Sequence, residues 1–147
     1  MRLYFALILL PTFAAAQSPD PGRRPYETRC ARCHGDKAQG DVGPVLVGGR
    51  GTLATPRPLK TVGSFWPYAT TVWDYVNRAM PFDEPGVLKP ADVYAVVAFI
   101  LNINGIVPDG AVMDAKSLPK VQMPHRGEYK VPEPWKPGTR RGFSLQP

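Results

Sequence analysis

The five residues Cys30-Ala31-Arg32-Cys33-His34 constrain the fold of this chain more than any other part of its sequence. The pattern C-x-x-C-H is the attachment site of a c-type haem, in which each thiol forms a thioether with a vinyl group and the histidine ligates the iron. Because two thiols three positions apart lie about one helical turn apart, they reach the same edge of a porphyrin. We therefore predict one covalently bound haem c, held by Cys30, Cys33 and His34.

A C-x-x-C pair has two other common uses, a thiol–disulfide redox pair and half of a zinc site. A four-thiolate zinc site needs a second pair of cysteines, and this chain has only 2 cysteines in total. A thioredoxin-like redox pair belongs to a βαβ unit, and no such pattern surrounds the motif. These observations favour the haem over the redox pair.

Residues 1–16 have the pattern of a signal peptide. Arg2 precedes an apolar run over residues 3–10, and three alanines suit cleavage after Ala16. The run is too short to span a bilayer comfortably. Since haem is attached to C-x-x-C-H after export, we predict a periplasmic protein with no membrane span after signal cleavage.

The basic charge of the chain indicates a protein partner rather than a nucleic acid. The formal net charge is +6 at pH 7. Aromatic and basic residues do not interleave as they do on nucleic-acid-binding sheets, and a periplasmic address also argues against such a ligand. The charge favours docking to an acidic protein, with ordinary solubility as the alternative.

We predict one helical domain over residues 17–107. A first helix over residues 22–34 carries the haem motif, and a second over residues 68–79 has an apolar stripe. A third begins at proline, a favourable first helical position, and covers residues 90–104. Between the first two, residues 35–67 are rich in glycine and proline, which prevents a continuous helix.

The tail over residues 108–147 differs in character from the domain. It contains seven prolines and seven lysine or arginine residues, and it shows no helical or strand periodicity. Such a segment does not build a core of its own. We predict that it is extended, and that it either wraps the domain or binds a partner.

The second axial position of the haem is assigned to Met80, which follows the second helix and precedes a proline. A thioether opposite an imidazole is typical of electron-transfer cytochromes. Met113, Met123 and His125 are the alternatives, and all three lie in the tail.

Residues 22–104 resemble the class I cytochrome c family. The resemblance rests on the spacing of Gly22, Tyr26 and Cys30, on the last helix, and on Gly43-Pro44-Val45-Leu46, which is similar to the family's G-P-x-L element. It implies an all-α fold of three to four helices around one covalent haem, followed here by a long extended C-terminal tail. It also implies that the Pro44 carbonyl accepts a hydrogen bond from His34 Nδ1.

Three longer segments resemble the cytochrome subunits of bacterial sulfite dehydrogenases and of the Sox sulfane dehydrogenase. They are Phe65-Trp66-Pro67-Tyr68-Ala69-Thr70-Thr71, Asn77-Arg78-Ala79-Met80-Pro81-Phe82, and the tail segment over residues 112–124. In those systems a molybdenum-cofactor subunit oxidises the sulfur compound and the cytochrome takes the electrons one at a time. The resemblance implies such a partner in the periplasm, and a downstream cytochrome or terminal oxidase as acceptor.

The same resemblance implies roles for four further side chains. Trp66 and Tyr68 would line the haem or bond a propionate, and Arg50 and Lys60 would be propionate partners. The alternatives are core aromatics for the first two and free surface charges for the others.

Three functions are compatible with these features. The favoured one is a non-catalytic electron-transfer subunit of a sulfite dehydrogenase-like complex. A general soluble electron-shuttle cytochrome without a dedicated partner has no evident use for the tail. A haem enzyme with an open iron site needs acid–base groups beside the iron, and the sequence offers no well-placed histidine for that role.

Overall fold

A computed structural model describes residues 21–128. These residues form four α-helices, α1 (Arg23–Arg29), α2 (Ala31–His34), α3 (Ala69–Ala79) and α4 (Pro90–Ile103), and one 3₁₀ helix, Leu118–Lys120. The described residues contain no strand, so the prediction of an all-α fold is confirmed. The predicted signal peptide over residues 1–16 and the end of the tail over residues 129–147 lie outside the described residues.

The haem-motif helix is divided at Cys30, where the sequence predicted one continuous helix. Cys30 ends α1 with φ −115° and ψ −38°, and its N–H still donates to the Tyr26 carbonyl at 2.8 Å. The Cys30 carbonyl in turn accepts from the N–H of His34 at 3.0 Å. The motif therefore occupies the junction of two short helices.

The last helix, α4, forms the centre of the core. It begins with Pro90 at its first position, and Asp92 in the first turn complements the helix dipole. Its buried residues lie on several faces, as expected for a helix enclosed by its neighbours; they are Val93, Val96, Val97, Ala98, Phe99, Ile100 and Leu101. No helix within residues 21–128 is long and apolar enough to cross a membrane.

Helix α1 crosses α4 at very short range. A Cβ atom on Gly22 would lie 1.9 Å from the Ala95 carbonyl oxygen, so only glycine allows this approach. One turn later the Tyr26 and Phe99 rings pack with their centroids 4.8 Å apart. The buried Tyr26 hydroxyl donates to the Gly35 carbonyl at 2.9 Å, which ties α1 to the residue that follows α2.

Helix α3 packs against α4 and presents its C-terminal end to the same core. Val72 and Val76 are buried, and the Trp73 and Tyr94 rings lie 5.1 Å apart. Met80 follows the last helical residue, and its N–H donates to the Val76 carbonyl at 3.2 Å. The position of α3 thus fixes the Met80 backbone, from which the thioether side chain extends.

A polar side chain connects the long loop to the end of α4. Asn104 Nδ2 donates to the Leu46 carbonyl at 3.1 Å and to the Ile100 carbonyl at 2.9 Å. Its Oδ1 accepts from the Gly48 N–H at 3.2 Å. These three bonds hold residues 46–48 beside α4 although the segment has no regular secondary structure.

The described part of the tail packs on the domain. Leu118, Val121 and Met123 are buried and belong to the same hydrophobic core as α3 and α4, and the 3₁₀ helix contacts α3. Arg126 Nη1 donates to the Pro119 and Val121 carbonyls at 3.2 and 3.1 Å. The described part of the tail therefore covers part of the core around α3.

We expect the substitution Tyr26→Phe to lower the free energy of unfolding by about 1 kcal/mol near neutral pH, because it removes one buried hydrogen bond and keeps the ring packing. Burial, assisted by Cys30 and Asp36, raises the pKa of Tyr26 from 10.0 to about 12. The folded state therefore holds this proton more tightly than the unfolded state does. Its contribution is complete below pH 10 and is lost as the pH rises through about 12.

The measurement is urea denaturation of both proteins from pH 7 upward. The stability advantage of the wild type over Tyr26→Phe should shrink above pH 10. A difference that stays constant through pH 12 would contradict the burial of an un-ionised hydroxyl at this position.

We also expect Leu118→Ala to lower the free energy of unfolding by about 2 to 4 kcal/mol, because it leaves a cavity in the core. Val112→Ala is the matched control, since Val112 lies in the same tail and is 73 % exposed. Thermal and urea denaturation of the full chain compare the two. Equal stability of both variants would show that the tail is not part of the folded core.

Candidate haem site

A cavity of about 540 Å³ opens between α2, the end of α3 and the middle of α4. This volume is in the usual range for cofactor pockets. Its wall is largely apolar and includes Val45, Leu46, Val62, Val72, Val76, Val96 and Ile100. Cys30, Cys33, His34 and Met80 all line this one cavity, although Met80 is distant from the other three in sequence.

Both cysteines are free thiols at the cavity wall. Burial, with a smaller contribution from Cys33, raises the pKa of Cys30 to about 11. A raised pKa keeps the thiol protonated, whereas a catalytic redox pair depends on a thiolate. Within residues 21–128, no three His, Cys, Asp or Glu side chains form a group able to hold a metal ion. Cys30 thus lacks the lowered pKa that is typical of a nucleophilic redox cysteine.

The His34 ring is held by the loop that follows it. Its Nδ1 lies 2.7 Å from the Pro44 carbonyl oxygen, the contact that the class I resemblance implied. With Nδ1 donating, Nε2 is left as the lone-pair donor for a metal. Gly43 allows this approach, because a Cβ atom on it would lie only 3.2 Å from His34 Nδ1. The Gly43 N–H also donates to the Cys33 carbonyl at 2.8 Å.

Met80 lines the cavity, and the alternative ligands within the described residues do not. Met123 is buried in the core, and Met113 packs against that core. His125 lies beside Glu128, with its Nδ1 hydrogen-bonded to the carboxylate. The geometry therefore brings one methionine to the same cavity as His34.

The four further predicted side chains divide into two groups. Trp66 and Lys60 line the cavity. Tyr68 does not: it precedes α3 with an extended backbone, is 46 % exposed, and its ring lies under the Arg126 guanidinium at 5.7 Å. Arg50 is also absent from the cavity wall, because its Nη2 donates to the Asn104 carbonyl at 3.0 Å. The structure thus brings Trp66 to the site but not Tyr68 or Arg50.

Three charged side chains that sequence reasoning missed, Arg29, Arg32 and Asp83, line the cavity, and Glu84 pairs with one of them. Arg29 Nη1 donates to Glu84 Oε2 at 3.0 Å, and Arg32 Nη2 donates to Asp83. The hydrogen bond from Arg32 lowers the pKa of Asp83, so this carboxyl stays charged. The signal in the sequence was a pair of arginines around Cys30 and a pair of acids just after Met80, but only the fold shows that they meet.

The rim also carries two exposed apolar side chains, Val42 at 83 % and Phe82 at 85 % exposure. Both line the cavity opening. The two are candidates for contact with the cofactor or with a partner protein.

The residues present fit a c-type haem. The cavity provides two thiols one helical turn apart, an imidazole with its second nitrogen fixed by Pro44, and a thioether. An imidazole and a thioether are the axial pair of electron-transfer cytochromes. The apolar wall suits the porphyrin face, and Trp66 and Lys60 are the polar candidates for its propionates.

Comparison with known proteins agrees with this geometry. The family described as cytochrome c oxidase, cbb3-type, subunit III, matches residues 17–100. Among solved structures, the chain is similar to one in the crystal structure of the sulfane dehydrogenase SoxCD from Paracoccus pantotrophus. That similarity has 34 % sequence identity and a TM-score of 0.72, and it covers 99 % of this chain and 86 % of the other. No curated protein matches the sequence.

We expect Met80→Leu to abolish the methionine–iron charge-transfer band of the oxidised protein, because leucine keeps the size of the side chain and lacks the sulfur. Met123→Leu is the matched control, since Met123 is 3 % exposed in the core and outside the cavity wall. Absorption spectra of both haem-loaded variants make the comparison. A band that survives in Met80→Leu would contradict the assignment of Met80.

Proposed function

The chain belongs to the c-type cytochrome family that includes subunit III of the cbb3-type oxidases, and from that premise we propose that it accepts electrons from a molybdenum-cofactor subunit that oxidises a sulfur compound. Its role as a haem electron-transfer protein follows from the family and from the likeness to SoxCD. The meeting of Cys30, Cys33, His34 and Met80 in one cavity carries the haem-binding part of the proposal, and the likeness to the SoxCD chain carries the partner.

The side chains of the cavity suit a carrier rather than a catalyst. The haem, when bound, supplies reversible one-electron exchange at its iron. His34 and Met80 would hold the iron through a nitrogen and a sulfur donor, and the Pro44 carbonyl keeps the imidazole in one orientation. The wall of the cavity is largely apolar. A haem enzyme needs an open position and an acid–base group, and His125 lies beside Glu128 instead.

The proposed partner rests on similarity and on the exposed rim. The segments around Trp66 and Met80, and the tail, resemble cytochrome subunits of sulfite and sulfane dehydrogenases, and the likeness to the SoxCD chain extends over 99 % of this chain. The exposed Val42 and Phe82 offer a docking surface next to the cavity. Electrons would leave toward another cytochrome or a terminal oxidase.

The number of haems and the location are part of the same proposal. The sequence contains one C-x-x-C-H motif, which supports one haem c per chain. The signal-peptide pattern over residues 1–16 supports export, and cytochromes of this type receive their haem after export. We therefore place the protein in the periplasm.

The proposal is tested by purifying the tagged full chain from its own host. Sulfite, or a compound with a sulfane sulfur, is then added while the haem absorption is followed. A co-purified molybdenum subunit and reduction by either compound would support the proposal and identify the substrate. A normal spectrum with neither partner nor reduction would favour a general electron-shuttle cytochrome.

The rim is tested in the same assay with Phe82→Ser. If Phe82 becomes buried against the partner, we expect the Phe82→Ser variant to bind the partner about ten-fold more weakly than the wild type does. Its haem spectrum should be unchanged. Leu59→Ser is the control, because Leu59 is 39 % exposed, does not line the cavity and lies outside the tail. Equal docking by both variants would remove Phe82 from the interface.

A further inference from the structure

The segment that follows Met80 has few local constraints of its own. Residues 82–87 are all exposed, and their backbone bonds within the segment are Glu84 N–H to the Pro81 carbonyl at 3.1 Å and Val87 N–H to the Glu84 carbonyl at 3.3 Å. Leu88 is the next buried residue after Pro81. A segment of this kind is expected to open locally at lower cost than the core.

Two ion pairs connect this segment to the haem motif, and we name them the rim ion pairs. They are Arg29–Glu84, at 3.0 Å, and Arg32–Asp83. Arg29 directly precedes the first cysteine of the motif, and Arg32 lies between the two cysteines. Each pair joins residues more than fifty positions apart. Both therefore tie the helices that carry the haem motif to the segment that follows Met80.

We propose that the residues of the rim ion pairs are positioning residues, which keep the segment after Met80 closed against the haem motif and so keep the Met80 sulfur available to the haem iron. This inference rests on the proposed haem ligation by His34 and Met80. Arg29, Arg32 and Asp83 themselves line the cavity, so the pairs lie where the segment would have to separate from the motif for a foreign ligand to enter.

We expect the rim ion pairs to act on the equilibrium between the closed and open forms of the segment after Met80, rather than on the stability of the whole domain. The side chains of the pairs are 47 to 57 % exposed, and such pairs contribute little to the stability of a whole domain. A ligand that enters only the open form binds with an affinity reduced by the open fraction. A several-fold change in that fraction therefore appears directly as a several-fold change in ligand affinity.

The test is titration of the oxidised, haem-loaded full chain with imidazole, a neutral probe near pH 8 that is little affected by a change in net charge. We expect Asp83→Asn/Glu84→Gln to bind imidazole about ten-fold more tightly than the wild type. The difference should narrow at about 1 M salt, where the Debye length falls to about 3 Å.

The matched control is Asp74→Asn/Glu27→Gln, which makes the same change in net charge. It removes two exposed ion pairs that each lie within one helix, Arg78–Asp74 at 2.8 Å and Arg23–Glu27 at 3.7 Å. We expect its imidazole affinity to stay within about two-fold of the wild type. An equal increase in the control and the rim variant would overturn the inference.

A charge exchange tests the role of the pair itself. Glu84→Arg alone should bind imidazole more tightly than the wild type, and Arg29→Glu/Glu84→Arg should return the affinity toward the wild-type value. These changes leave the C-x-x-C-H motif intact, so haem attachment is not altered by the design. A failure of the double exchange to restore the affinity would overturn the inference.

The absorption spectrum of the wild type distinguishes a failure of this inference from a failure of the proposed function. A wild type with the methionine–iron band and a rim variant that behaves like the control would overturn the inference alone. A wild type without that band would overturn the Met80 assignment, and the inference with it.

Discussion

The close crossing of α1 and α4 is the constraint on which the rest of the structure depends. At Gly22 the two backbones approach so closely that a Cβ atom would lie 1.9 Å from the Ala95 carbonyl oxygen, and the Tyr26–Phe99 contact follows one turn later. The haem motif begins at the end of α1, so this crossing places both thiols. The cavity wall contributed by Val96 and Ile100 belongs to the same α4, so the crossing also sets the distance between motif and wall.

The parts of the fold that sequence could predict are those that rest on local chemistry. The second and third helices were predicted within one residue of α3 (Ala69–Ala79) and α4 (Pro90–Ile103), because apolar periodicity and proline mark them clearly. The break at Cys30 was missed. It is a local departure of the Cys30 backbone from helical φ, with i→i−4 bonds on both sides of it, so the sequence around Cys30 carries no signal of it.

The candidate site likewise has residues that the sequence could predict and residues that it could not. Cys30, Cys33 and His34 belong to one local motif, and Met80 stands before a proline at a helix end. The sequence alone could therefore assign these four residues to the site. Tyr68 and Arg50 were proposed by resemblance, and the structure places both away from the cavity because Tyr68 faces Arg126 and Arg50 bonds the Asn104 carbonyl. The rim ion pairs were missed because pairing across more than fifty residues has no periodic signal.

The burial of Leu118, Val121 and Met123 against the core means that the segment after residue 107 is not a detachable appendage. The 3₁₀ helix contacts α3, and Met80 directly follows the last residue of α3. A shortened chain that ends at residue 107 would therefore uncover the helix that positions Met80. The cost of losing the tail would fall on one wall of the cavity and not only on the surface of the molecule.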